Sequence, residues 1–198
     1  MERRKFIRNS ASSVLAGLLA PSFLQSSSLF ANRTGANDKI NVGLIGCRSM
    51  GWANLSDFLI HPEIDCIALC DVDQHVLSGR AADLVKLRNK KPELYGDYRK
   101  MLERKEIDVI IIGTPDHWHC LQMTDACAAG KDVYVEKPIA NSIAECDAMV
   151  AAAKRHNRVV QVGQQQRSGN HWHEMKRYID SGKLGKIAQV NVWANFNY

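Results

Sequence analysis

The sequence predicts an α/β fold whose centre is a doubly wound parallel sheet. Three observations carry that prediction. Short runs rich in Val and Ile alternate with stretches of helical spacing from Lys39 to about Gln164. The runs are continuously apolar, as strands covered on both faces must be. The first run leads directly into a glycine turn and then a helix, in the stretch VGLIGCRSMGW (Val42–Trp52). A strand, a glycine turn and a helix in that order form a Rossmann-type phosphate loop.

Each element follows in order from its residues. KINVGLIG, bounded by Asn and Gly, is a buried strand. WANLSDFLIH sets Trp52, Leu55 and Leu59 at helical spacing and stops at Pro62. IDCIALCDV is the second strand, and HVLSGRAADLVKLR is helical. KKPELYGDYRKMLER is a charged connection with a short helix near its end. DVIIIGTP is a strand ended by Gly113 and Pro115. HCLQMTDACAAG is a helix with Gly130 as its C-terminal stop. DVYVEKP is a strand. Ser142 and Glu145 form a capping box before the helix IAECDAMVAAAKRH. RVVQVGQ is a strand, and NHWHEMKRYIDSG is a helix closed by Gly182, with Trp172, Met175 and Ile179 as its core stripe. KIAQVNVWANFNY begins a further strand. Six strands are expected before Gln164, of which five are the runs just named, and the Rossmann-type domain spans residues 38–163.

The chain has 198 residues, 45% apolar and 24% charged, with a formal charge of +5. The charge is unevenly placed. Five basic residues (Arg3, Arg4, Lys5, Arg8, Arg33) and only Glu2 lie in the first 36, which leaves 21 basic and 20 acidic side chains in residues 37–198. The basic excess belongs to the leader, so a nucleic-acid footprint is not indicated. The leader reads MERRKFIRNS and then an uncharged stretch to Arg33, broken by Pro21 and diluted by serines. That stretch is too weak to span a bilayer, which takes roughly 20 mostly apolar residues. Its layout is that of a signal peptide, and R-R-x-F-I-R looks like a twin-arginine export signal. Residues 1–36 are expected to be signal and linker, with the mature protein in the periplasm, or in the cytoplasm if the signal is not used.

Six cysteines (Cys47, Cys66, Cys70, Cys120, Cys127, Cys146) form no C-x-x-C pair and lie mostly in apolar segments. Buried free thiols are expected, because cysteine packs as a small hydrophobe. Two His-Trp-His triplets occur, at 117–119 and 171–173. Histidines two apart point nearly oppositely on a helix, which removes His171 and His173 as a chelating pair. His117 and His119 sit in a loop but lack an evident third ligand, so no metal site is expected.

In the glycine turn, Gly46 and Gly51 fill the positions for the tight turn and for helix-on-strand packing. Arg48 stands where the middle glycine belongs. It costs close backbone approach but brings a guanidinium, a bidentate phosphate partner. With Ser49 and Met50 it opens the helix, whose N-terminal amides face phosphate. Asp71 ends the second strand 20 residues after Gly51, where an acid accepts from ribose hydroxyls. That carboxylate would repel a 2′-phosphate, so NAD is expected; Arg48 could offset the repulsion, which leaves NADP open.

GTPDHWH and EKP follow two further strands and should meet at the same sheet edge. Here the chain resembles the glucose–fructose oxidoreductase and inositol dehydrogenase family (Gfo/Idh/MocA). The resemblance rests on the glycine turn at 43–51, Asp71, Thr114-Pro115, His119 and Glu136-Lys137-Pro138. It covers about residues 38–198. It implies that Thr114, Pro115 and His119 line a nicotinamide cleft, that Glu136 and Lys137 lie beside the cofactor, and that Lys137 and His119 are the catalytic candidates. A lysine can donate to or polarise the oxygen of a carbinol as hydride leaves; burial would tune the amine for that work, and Pro138 would restrict Lys137 to extended geometry. Gln165 and Arg167 would border the substrate cleft.

The same resemblance implies a second, open antiparallel-sheet domain, of which residues 164–198 are the start. The chain therefore looks like the N-terminal part of a longer enzyme, a homo-oligomer at full length. Its substrate would be a sugar, a sugar derivative or a cyclic polyol. Outside the cytoplasm no free nicotinamide pool exists, so a tightly held cofactor is expected. Two alternatives stay open: a redox-neutral, NAD-dependent glycoside-cleaving enzyme, and a non-catalytic cofactor-binding fragment.

Overall fold

The strand β1 (Ile40–Ile45) lies at the middle of the sheet, and the other elements are laid around it. The computed structural model describes residues 39–193. After β1 come α1 (Ser49–Phe58), β2 (Ile64–Cys70), α2 (Gln74–Arg88), β3 (Glu93–Tyr95) and α3 (Tyr98–Leu102). Then follow β4 (Val109–Ile112), α4 (His119–Ala128), β5 (Asp132–Glu136), α5 (Ile143–His156), β6 (Val160–Gly163) and α6 (Asn170–Asp180). The sheet order is β3-β2-β1-β4-β5-β6, with every neighbouring pair parallel. Strand order reverses between β1 and β4, so the loops that leave these two strands part and open a crevice at their C-terminal ends.

Both faces of the sheet are covered, which is why its strands read as unbroken apolar runs. Ile110, Ile111 and Ile112 of β4 are all fully buried, although successive side chains point to opposite faces. Ile110 and Ile112 pack with Met101 and Leu102 of α3, Met123 and Ala126 of α4, and Met149 of α5. Ile111 packs on the other face with Leu55 of α1 and Leu77, Ala81 and Leu84 of α2. In β2 the pairing with β1 shifts by one residue between Val42 and Gly43. The extra residue turns the strand over. Ile64 and Cys66 therefore face α1 and α2, whereas Ala68 and Cys70 face the opposite core.

Local signals fix the helix ends. Asp73 and Asp97 accept backbone N–H bonds at the starts of α2 and α3. Ser142 accepts from the Glu145 N–H, while Glu145 accepts from the Asn141 N–H, a capping box displaced by one residue from its usual return bond. Asn89 and Asn157 end α2 and α5 in the left-handed conformation, at φ 52° and 50°. Asparagine tolerates that region better than most side chains.

Three expectations are corrected. The sixth strand is β3, only three residues long, within the stretch that reads as a charged connection; at an exposed edge it needs little apolar character. Trp172, Met175 and Ile179 of α6 are not core: they are 43%, 48% and 40% exposed, because no described element packs on that face. Residues 186–193 form no strand, since no described strand lies alongside to pair with them. The leader, residues 1–36, lies outside the described residues.

All six cysteines are free, and Cys47, Cys66, Cys70 and Cys127 are buried. Burial pushes the thiols of Cys66 and Cys70 from an ordinary 9.0 up to about 12. In the unfolded chain they ionise near 9.0 while the folded protein keeps them neutral, so their contribution to stability is complete below pH 9 and is lost as pH rises above it. Urea midpoints are expected to fall between pH 9 and pH 11, and Cys66 and Cys70 to resist a thiol reagent at pH 8 until the protein unfolds. Ile111→Ala should destabilise by about 2–5 kcal/mol, measured by urea unfolding, because it opens a cavity in a fully buried site.

Candidate functional site

The crevice between β1 and β4 begins with three glycines in mutual contact. A Cβ on Gly51 would lie 2.0 Å from the Gly46 carbonyl oxygen, and one on Gly113 would lie 2.3 Å from the Gly51 Cα. Gly46 adopts φ +84° against the Gly113–Thr114 backbone. Glycine is thus required where α1 crosses the ends of β1 and β4. The sequence marks Gly113 only as the end of a strand; the packing reveals its role in the turn.

The turn is tied to β2 and to β4. The Gly46 N–H donates to the Cys70 carbonyl and the Gly113 N–H to the Ile45 carbonyl. Asp71 takes the Cys47 N–H on Oδ2 at 2.8 Å and the Asp73 N–H on Oδ1 at 2.9 Å. Arg48 occupies the N-cap of α1 without a side-chain cap bond. The first N–H groups of α1 therefore have no partner within the helix, which suits them to a phosphate. The Arg48 guanidinium turns sideways to Asp73 at 2.5 Å.

Beyond the turn lies a cleft of about 760 Å³ lined by Gly46, Arg48, Asp71, Gly113, Thr114 and Pro115. Small-molecule sites commonly run from roughly 300 to 1,000 Å³. Its other walls include Val72, Asp97, Tyr98, Arg99, Trp118 and Leu121. Trp118, 44% exposed, is part of that lining. No local pattern marks these walls: in sequence Trp118 is the middle of a His-Trp-His triplet, and Tyr98 belongs to the charged connection.

A second cluster sits at the end of β5. Glu136 is buried, and its carboxylate accepts three bonds: from Asn54 Nδ2 at 2.9 Å, from Gln165 Nε2 at 2.6 Å and from the Lys137 N–H at 3.0 Å. A Cβ on Gly163 would lie 2.8 Å from Glu136 Oε1, so β6 also needs a glycine beside this carboxylate. His119 is 1% exposed. Its Nδ1 lies 2.8 Å from the Pro138 carbonyl oxygen, and its Nε2 lies 2.8 Å from that of Thr114. Carbonyl oxygens only accept, so each contact is a hydrogen bond when that nitrogen carries the proton. The Lys137–Pro138 peptide is cis.

The residues predicted for the site thus divide into groups. Gly46, Arg48, Asp71, Thr114 and Pro115 meet at the cleft, Ser49 lines a hollow beside it, and Gly51 packs behind it. Met50 is 44% exposed and lines neither. Glu136 and His119 are buried and do not line the cleft; each His119 ring nitrogen faces a backbone carbonyl oxygen, and a neutral ring donates to one of the two. Lys137 is exposed, and the burial expected for it is not formed by the described residues. Gln165 binds Glu136, and Arg167 is exposed with a bond to Gln164 at 3.4 Å. His119 opens α4 rather than lying in a loop. Among the described residues, no three His, Cys, Asp or Glu side chains gather as a metal site.

Residues 40–164 match the model of the "Oxidoreductase family, NAD-binding Rossmann fold" (GFO_IDH_MocA). The chain belongs to this family. A relative from Shewanella putrefaciens, named a glycosyl hydrolase family 109 protein, is 31% identical over 172 residues, 78% of this chain and 37% of its own length. The NAD-binding oxidoreductase structure from Klebsiella pneumoniae is 31% identical with TM-score 0.64, covering 74% of this chain and 40% of that one. The scyllo-inositol dehydrogenase from Lactobacillus casei, with bound NAD(H) and scyllo-inositol, is 25% identical with TM-score 0.67, covering 74% and 42%. This chain spans less than half the length of these relatives. What it carries is the family's NAD-binding fold.

Glu136→Ala removes the acceptor from three donors at a buried point. A loss of at least about 1–3 kcal/mol is expected in thermal or urea unfolding, the cost of leaving buried donors unpaired.

Proposed function

We propose that the protein is an NAD(P)-dependent oxidoreductase that transfers hydride to or from a sugar, a sugar derivative or a cyclic polyol, and that its full-length form is a homo-oligomer. One observation carries the reading: the glycine-packed crevice at the β1–β4 switch point, with Asp71 on one side and the Lys137–Pro138 turn following the neighbouring strand β5. The site suits a dinucleotide by its volume, the uncapped start of α1 and the carboxylate at the end of β2. The names of the Lactobacillus and Klebsiella structures support the cofactor, and that of the Lactobacillus enzyme supports the polyol class.

The bound nicotinamide would supply the hydride acceptor or donor. The chain's residues do the rest. Gly46 and the first amides of α1 bind the pyrophosphate, and Asp71 accepts from ribose hydroxyls. Trp118 and Leu121 exclude water along the cleft. Lys137 holds or delivers the proton at the substrate oxygen. Glu136 and His119 act through it: one anchors the Lys137 N–H, the other the Pro138 carbonyl. Gln165 steadies Glu136, and Arg167 is left to border the substrate.

The twin-arginine-like leader supports export of the folded protein to the periplasm, which calls for a tightly held cofactor. A second reading, redox-neutral glycoside cleavage with catalytic NAD, is favoured by the name of the Shewanella relative. Separating free sugar from keto-sugar among the products of the full-length protein distinguishes the two. Lys137→Met is expected to cut turnover at least 100-fold, the scale of a lost acid–base group, while NADH binding by fluorescence stays within about twofold; normal turnover would remove Lys137 from the chemistry. Replacing Arg3 and Arg4 with lysine should keep the protein in the cytoplasm, as read by cell fractionation.

A further inference from the structure

Beside the cleft lies a hollow of about 360 Å³ lined by Arg48, Ser49, His75, Val76, Arg80 and Asp83, with Gly79 on its floor. A Cβ on Gly79 would meet nothing within 4 Å. Arg48 borders both the hollow and the cleft. Asp71 lines the cleft, so Arg48 links the carboxylate assigned to the ribose with this hollow. An arginine near that ribose is the usual partner of a 2′-phosphate, and two arginines line this one.

Neither arginine is free. Arg48 pairs with Asp73 at 2.5 Å, and Arg80 pairs with Asp83 at 3.2 Å. Arg80 also donates to the Cys47 carbonyl and lies 4.7 Å from the centre of the Trp52 ring, which fixes it between α1 and α2. Asp73 is anchored too. Its Oδ1 accepts the His75 and Val76 N–H groups at the start of α2. Those bonds and Arg48 hold its carboxyl below the usual carboxylate range. A 2′-phosphate would have to compete with this fixed carboxylate for Arg48 while facing Asp71.

We propose that Asp73 makes the protein select NAD over NADP by occupying Arg48, so that the discrimination rests on the Asp73–Arg48 pair as well as on Asp71. The proposal rests on the assignment of the cleft as a dinucleotide site. Arg48, which in sequence looks like an invitation to NADP, is a latent phosphate ligand silenced by a carboxylate 25 positions later.

The test is binding of NADH and NADPH to the purified full chain, followed by nicotinamide fluorescence. The unaltered protein should prefer NADH. Asp73→Asn keeps a capping oxygen and removes the charge. It is expected to tighten NADPH binding roughly tenfold, the worth of one charge-assisted hydrogen bond, with NADH affinity unchanged within about threefold. Asp73→Ser, a second uncharged cap, should do the same, and adding Arg48→Gln should erase the gain. NADH binding retained with no gain for NADPH in either variant overturns the proposal and leaves the cleft assignment standing. Failure of the unaltered protein to bind either nucleotide overturns both.

Discussion

The contact of Gly46, Gly51 and Gly113 is the constraint on which the rest of the site depends. Backbone meets backbone there at distances no side chain permits. That closeness brings the start of α1 over the ends of β1 and β4 and aims its unpaired N–H groups into the crevice. Any larger residue would lift the helix from the sheet and pull Leu55 from its buried place against Leu44 and Leu69. Fold stability and ligand geometry therefore share one set of atoms.

A second constraint acts at the neighbouring strand. A buried carboxylate is tolerated only when its hydrogen bonds are filled, and Glu136 meets that condition with donors from α1, from the chain after β6 and from the next peptide. His119 joins the loop after β4 to the turn after β5. The two residues cross-link the segments that follow four strands, β1, β4, β5 and β6. Lys137, between them, is presented by a turn whose backbone is held on both sides, while its own side chain stays exposed.

The turn beside Asp71 departs from the usual glycine pattern, and a charged pair accompanies that departure. Replacing the middle glycine with Arg48 would add a cation beside the ribose. Asp73 pairs with that guanidinium and caps α2 with its other oxygen. The surface ion pair by itself adds little stability, since exposed pairs commonly contribute under about 1 kcal/mol. Its consequence is for what the neighbouring cleft accepts.

The sequence by itself determined the sheet, its winding and most helix boundaries, because those depend on local periodicity and on caps read within a few residues. α5 is the clearest instance: Ser142 starts it and Asn157 ends it, as the pattern IAECDAMVAAAKRH requires. The glycine turn and Asp71 were legible for the same reason, being fixed to the first two strands. Only the tertiary structure decided which side chains meet across long separations. Asn54 with Glu136, the His119 ring with the Pro138 carbonyl, and Arg48 with Asp73 are products of strand order, and no local pattern encodes them. β3 was hidden because an exposed three-residue edge needs no apolar run. The stripe on α6 misled because amphipathic spacing states that a face is apolar, while burial requires a neighbour to cover it.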